Sequence, residues 1–352
     1  MLSYTARPDY SGKSSLTGRT LIQTLFFFLL VTQICFAQWY QQNSGTDKNL
    51  SAVQFTDANN GFAVGDSGVI LRTTSAGNNW EIQPSETTLP LNDIFFLDEN
   101  NGWIAGGFAN TGQVFWTKEI ILKTTDGGTT WYKQLEDSID RPSSIFFNDA
   151  ENGWCVGYKI RKTTDGGANW IEILGATWEV WSDVCFKNLD SGIVVGTRYG
   201  EGRGAWPSTI RTIDGWISFI LEDLPIPNLW DGNLTGINST GIDCVYIVGG
   251  MRDGAHITYG LVGKTTDWGI TWTTENIEGP SFNDVYFVDE TNGWVVGGNS
   301  YNQNGQYSPR SIILGTTDGG VTWTIQMSDT LNFFSGVYFT DASNGWAVGD
   351  KG

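Results

Sequence analysis

Short apolar alternations recur along the chain. "VQFTD", "IFFLD", "IFFND", "VCFKN" and "VYFVD" each put β-branched or aromatic residues at every second position and then run into polar residues. That period of two is the signature of a half-buried strand. A Gly-flanked apolar segment follows each time: "NGFAVG" (60–65), "NGWIAGG" (101–107), "NGWCVG" (152–157), "SGIVVG" (191–196), "VYIVGG" (245–250), "NGWVVGG" (292–298) and "NGWAVG" (344–349). A third segment of the type I-L-x-T-T and a fourth beginning T-W complete the unit. Gly, Asn and Asp separate all four, and no stretch after the N-terminal segment holds helical periodicity for more than a turn or two. Each unit therefore predicts four short β-strands.

The link between the third and fourth segments is a motif of its own. "TTDGGTTW" (124–131), "TTDGGANW" (163–170), "TTDWGITW" (265–272) and "TTDGGVTW" (316–323) are near copies. "TTSAGNNW" (73–80) and "TIDGWISF" (212–219) are decayed ones. The final aromatics fall at 80, 131, 170, 219, 272 and 323, a period of 39 to 53 residues. Four strands per unit at this period predict an all-β fold, a β-propeller of four-stranded blades. Six units are complete and a seventh stops at "GWAVGDKG", while "QWYQQNSGT" (38–46) looks like the end of a unit, with Trp39 where Trp131 stands. The expectation is a seven-bladed ring over residues 38–352 whose last blade is incomplete and is closed by the Trp39 strand, with one strand still missing. Eight or more blades is the alternative.

Asp126, Asp165, Asp214, Asp267 and Asp318 sit in these turns. Gly127 and Gly128 supply the positive φ that such a hairpin requires, and an Asp there accepts hydrogen bonds from nearby backbone N–H groups. The same job recurs in every blade, so these carboxylates are expected to shape turns and not to catalyse. The motif resembles the Asp-box, or bacterial neuraminidase repeat. Its combination of "NGWxVG" with "ILKTTDGGTTW" resembles the photosystem II stability/assembly factor-like propeller family over about residues 38–352. The resemblance implies the propeller fold; it carries the family's assembly role less directly, since nothing in the sequence reports a pigment or thylakoid partner.

Asp-boxes also occur in sialidases and xyloglucan-type hydrolases. The early Arg-Ile-Pro motif of sialidases is absent, and Arg72 and Arg161 fall inside third segments, away from loop ends. A xyloglucanase-like enzyme needs two opposed carboxylates across a cleft, and no spacing singles out a pair. With His256 the only histidine, neither a Ser-His-Asp site nor a metal site is expected, and no cofactor is implied.

At the N-terminus, Arg7, Lys13 and Arg19 precede an unbroken apolar run, Leu25 to Val31, and then Cys35-Phe36-Ala37. This is the layout of a secretory signal peptide over residues 1–37, too short to span a bilayer; an uncleaved anchor is the competing reading. The exported chain would keep 17 basic and 37 acidic residues, a net charge of −20. Such a surface repels nucleic acid and anionic membranes. It is expected in the periplasm, at the cell surface or outside the cell, with no membrane insertion after cleavage. Cys155, Cys185 and Cys244 match no metal spacing, and Cys155 and Cys185 occupy positions held elsewhere by apolar residues.

Strand parity sorts the loops. Loops between strands one and two share a face with the Asp-box turns and are short and uniform. The other face carries long insertions at 107–119, 197–209, 250–260 and 298–311. Per-repeat insertions on one face mark a binding face. Trp116, Trp178, Trp206 and Trp230 have no role in the repeat and fall there, with Tyr199, Arg203, Arg252, Tyr259, Tyr301, Tyr307 and Arg310. Aromatics and Arg favour interaction hot spots, and aromatic faces also stack on sugars; the competing reading is that they pack the long loops onto the rim. The sequence thus predicts a non-catalytic exported scaffold that binds a protein partner through this face. The alternatives are a glycan-binding or glycan-cleaving propeller and a purely structural module of a longer surface protein.

Overall fold

The computed structural model describes residues 3–5, 39–110, 116–137, 140–175, 178–200, 204–224, 231–241, 243–252, 258–301, 307–329 and 332–352. Apart from one 3₁₀ turn at Asp66–Gly68, all regular structure among them is β. Six four-stranded antiparallel sheets are each built from consecutive strands, spanning residues 50–83, 91–137, 144–174, 179–223, 231–278 and 282–329. These are blades 1 to 6, and in each the first strand is innermost and the fourth outermost.

The expected count of seven blades is corrected. Six blades are complete, and the last is incomplete in its own strands: it contributes only Phe334–Asp341 and Asn344–Gly349. The outer two places of that sheet are held by Ser3–Thr5 and Gln41–Gln42. Trp39, just before the latter, stands edge-on to Phe339 with centroids 5.6 Å apart at 84°. Trp131 meets Phe96 in the same way, at 5.9 Å and 83°. The strand missing from the sequence-based count is thus represented by Ser3–Thr5, a segment expected to belong to the signal peptide. The innermost strands run around the channel, with Phe334–Asp341 packed on both Phe282–Phe287 and Leu50–Phe55.

The recurring motif residues hold neighbouring blades together. The aromatic of "NGW" lies flat on the Phe that ends the first strand of the next blade. Trp103 on Phe147 and Trp154 on Phe186 stack at 3.6 Å, and Tyr246 on Phe287, Trp294 on Phe339 and Trp346 on Phe55 stack at 3.5 Å. Such pairs add dispersion and area burial with fixed geometry. The Gly before each aromatic is required by its own blade: a Cβ on Gly102 would lie 2.7 Å from the Phe96 ring. Junction 4/5 departs from this rule. Ser239 replaces the Phe and Ile193 the Trp, and with no ring to avoid, Val245 replaces the Gly. Trp268, from the blade 5 Asp-box, fills the space beside Ile193 and Cys185 at the cost of a positive φ of 52°.

Cys155 and Cys185 are buried thiols and Cys244 is half-buried; none of the three is bridged. No helix among the described residues is long and apolar enough to cross a membrane.

Candidate functional site

Each complete Asp-box closes on itself. In blade 2 the Asp126 carboxylate accepts the Thr130 N–H at 2.9 Å, the Thr130 hydroxyl at 2.6 Å and the Thr124 hydroxyl at 2.9 Å. Asp165, Asp214, Asp267 and Asp318 repeat the pattern with Asn169, Ser218, Thr271 and Thr322. These bonds favour the charged form and hold all five carboxyls below the usual range, Asp267 and Asp318 at about 2. A carboxylate so committed has no proton to offer near neutrality. The turn also bonds to the loop between strands one and two of its own blade, as in Gly127 N–H to the Asn100 carbonyl at 3.0 Å, so both lie on one face.

The opposite face holds a cleft of about 750 Å³ between blades 4 and 5. Its walls are the extended hairpins Gly192–Tyr199/Ala205–Thr212 and Val245–Arg252/Thr258–Thr265, and its floor is the entry of the first strands. Both hairpins are stretches where the sequence inserts residues between strands two and three. The cleft brings Tyr199 and Arg252 together with Asp231, Asn233, Thr197 and Met251. Tyr199 is about half exposed, and its N–H donates to the Trp178 carbonyl at 2.8 Å, tying Trp178, 70 % exposed, to the rim. Arg252 is exposed and makes no ion pair with a described residue. Asp231, which the sequence did not single out, accepts the Ala205 N–H at 2.8 Å and so spans the two blades. The cleft lies over junction 4/5, the one described above as lacking an aromatic stack.

Other expected site residues lie elsewhere. Trp206 is half-buried under Arg198, which sits 5.8 Å from the ring and pairs with Asp223 at 2.5 Å. Tyr259 packs against the core between blades 4 and 5. Both pack the hairpins. Trp116 opens the third strand of blade 2; Tyr301 pairs with Tyr307, and Arg310 with Asn299, in blade 6. Arg203 and Trp230 lie outside the described residues.

The central channel carries a second constellation missed in the sequence. At one register position of the first strands stand, in order, Ala52, Asp93, Ser144, Asp183, Gly236, Asp284 and Gly336. Each Asp accepts a backbone N–H from its own strand and one from the next blade: Asp93 from Ile145 at 2.9 Å, Asp183 from Ile237 and Asp284 from Val337 at 2.8 Å. Ser144 donates its hydroxyl to Asp183 at 2.7 Å. Gln54 makes the equivalent clasp from blade 1 to Phe96, and Asn238 from blade 5 to Phe287. The carboxylates border a narrow cavity of about 330 Å³. Burial pushes Asp93 up to about 6, Asp284 to about 7 and Asp183 to about 8, with the charge of Asp93 adding to the effect at the last two. Among the described residues no three ligating side chains converge in a way that would hold a metal ion.

A buried ion pair braces junction 2/3. Arg161 donates to Glu119, and Asp140 lies 3.6 Å away. Arg72 donates to the Thr129 hydroxyl of blade 2 at 3.5 Å. Both arginines are thereby structural.

The model of the family described as photosynthesis system II assembly factor YCF48 matches residues 31–109. No curated protein sequence matches significantly. Among solved structures, YCF48 bound to D1 peptide is 19 % identical, with 87 % of this chain and 92 % of that one covered at a TM-score of 0.61. YCF48 from Cyanidioschyzon merolae is 18 % identical, covering 90 % and 97 % at 0.64. A GH74 enzyme from Niastella koreensis is 13 % identical, covering 88 % and 64 % at 0.53. At such identities the likeness in structure is one of fold. The family match is confined to residues 31–109, and over the rest of its length the chain shares with these structures the β-propeller fold.

Proposed function

We propose that the chain is a non-catalytic scaffold that holds a segment of another protein in the cleft between blades 4 and 5. The observation that carries this reading is the cleft itself, with exposed Trp178 and Tyr199 at its edge and Arg252 without an ionic partner among the described residues. Aromatic and Arg side chains around a concavity are the usual anchors of protein recognition. A related propeller solved with a D1 peptide gives a precedent for a polypeptide ligand in this fold. Asp231 is the one carboxylate among the described cleft residues, whereas glycoside hydrolysis ordinarily needs two. Glycan binding is the second reading, favoured by the polar lining and by the fold shared with GH74 enzymes.

The reading extends to a seven-bladed ring closed by the Trp39 strand, and to export after cleavage behind Ala37. Replacing Tyr199 and Arg252 by Ala tests the site. The expected result is loss of a cross-linked protein partner with an unchanged melting temperature. Partner capture unaffected by the double variant, or retention on a glycan array that the variant abolishes, would refute the protein-binding assignment.

A further inference from the structure

The Asp-box face is uniform in backbone but not in side chains. The residue after the two turn positions is Asn78, Thr129 and Ala168 in blades 1 to 3, and Ile217, Ile270 and Val321 in blades 4 to 6. The turn does not require the aliphatic group, since the polar versions make the same hydrogen bonds. Yet Ile217 is 90 %, Val321 74 % and Ile270 61 % exposed, and Ile213, in the blade 4 turn, is 63 % exposed. A lone exposed aliphatic residue needs no explanation; equivalent ones on three consecutive blades form a patterned surface.

The exposed charges around them are predominantly acidic. Asp190, Asp243, Asp289 and Glu290 are exposed on the adjoining loops, and Asp214, Asp267 and Asp318 in the turns stay ionised well into the acid range. Acids outnumber the cations beside the turns: Lys162 and Arg211 lie against Gly215 and Gly269, Lys187 pairs with Asp243 at 2.8 Å, and Lys264 donates to the Gly319 carbonyl at 2.8 Å. An aliphatic row within an anionic field complements a cationic polypeptide that presents apolar side chains. It disfavours a second copy of this acidic chain and an anionic bilayer.

We propose that the Asp-box turns of blades 4 to 6 form a second docking surface, on the face opposite the cleft, for a basic polypeptide segment with aliphatic or aromatic side chains. The test measures fluorescence anisotropy of a labelled synthetic Lys–Leu peptide against the full chain and the triple variant Ile217→Thr, Ile270→Thr, Val321→Thr. Thr is the residue that blade 2 already carries there, and the positions are exposed, so the fold is kept; an unchanged melting temperature checks this. The expected result is binding weakened by about tenfold or more in the triple variant. Tyr199→Ala/Arg252→Ala should bind the peptide like the wild type, which separates this face from the cleft. Equal affinity of the triple variant, or of a Lys–Ser peptide of the same charge, would overturn the proposal. So would concentration-dependent dimerisation, or adsorption to phosphatidylcholine vesicles, that the triple variant abolishes.

Discussion

Replacing Asp183 by Asn should make the stability difference from wild type depend on pH. Asp183 accepts the Val184 and Ile237 N–H groups and the Ser144 hydroxyl. An Asn has one carbonyl oxygen, so if that oxygen keeps the first site its amide faces the Ile237 N–H. An orphaned buried donor costs about 1–3 kcal/mol. That loss is expected near pH 4, where the wild-type carboxyl is protonated. The folded-state pKa of Asp183, about 8, lies above the unfolded value of 3.8. The stability linked to this group is therefore full below pH 4 and is lost as pH rises towards 8. The slope is up to about 1.4 kcal/mol per pH unit, reduced by whatever water reaches the channel. Asn cannot ionise, so the variant escapes that loss, and the deficit should shrink and then invert as pH rises. Urea unfolding followed by tryptophan fluorescence at half-unit steps between pH 4 and pH 8 gives the difference curve. A difference that stays flat across this window would refute the assignment of a channel-lining, high-pKa carboxyl.

Four further outcomes can be checked. Trp103→Ala removes a fully buried ring stacked on Phe147 and should cost about 3–5 kcal/mol in chemical denaturation. Ser239→Phe alone should destabilise, because the Val245 side chain occupies the place that Gly102 leaves open for Phe96; adding Val245→Gly should recover part of the loss. A double-mutant cycle would show that coupling, on the order of 0.5–3 kcal/mol. Asp267→Asn should flatten the acid limb of the stability curve: the depressed pKa of Asp267 gives stability present above about pH 4 and lost as pH falls through about 2. N-terminal sequencing of exported protein should read Gln38 first; a chain that still begins at Met1 would refute signal cleavage and leave Ser3–Thr5 in its sheet.

The architecture was legible because each blade repeats the same solutions to the same contacts. Phe, Gly and Trp recur together since the Phe ring lies against the Gly of its own blade and under the Trp of the previous one. The fourth and fifth units were readable from their remaining motifs, although only the structure shows that Ile193 of one and Ser239 and Val245 of the other changed as a set. The face with insertions was also visible, but not which loops converge. Tyr199 and Arg252 meet because blades 4 and 5 extend neighbouring hairpins, whereas Trp206 and Tyr259, equally conspicuous in the sequence, are consumed in packing them. Asp93, Asp183 and Asp284 escaped notice because Asp beside Asn or Ser at the entry of a strand reads as turn chemistry. Their alternation emerges only when the units are aligned by strand register.

That alternation sets a rule of spacing for the ring. Asp93, Asp183 and Asp284 are each followed by a blade with Ser or Gly at the same position, so no two carboxylates are neighbours. The alternation is interrupted where Gly336 and Ala52 stand on two innermost strands that pack together. Loss of blade 3 or blade 5 alone would set two channel carboxylates side by side, while loss of either together with a neighbouring Asp-bearing blade would keep them apart. The channel thus constrains how this molecule can be shortened: blades 3 and 5 act as spacers that cannot be lost without a carboxylate blade beside them.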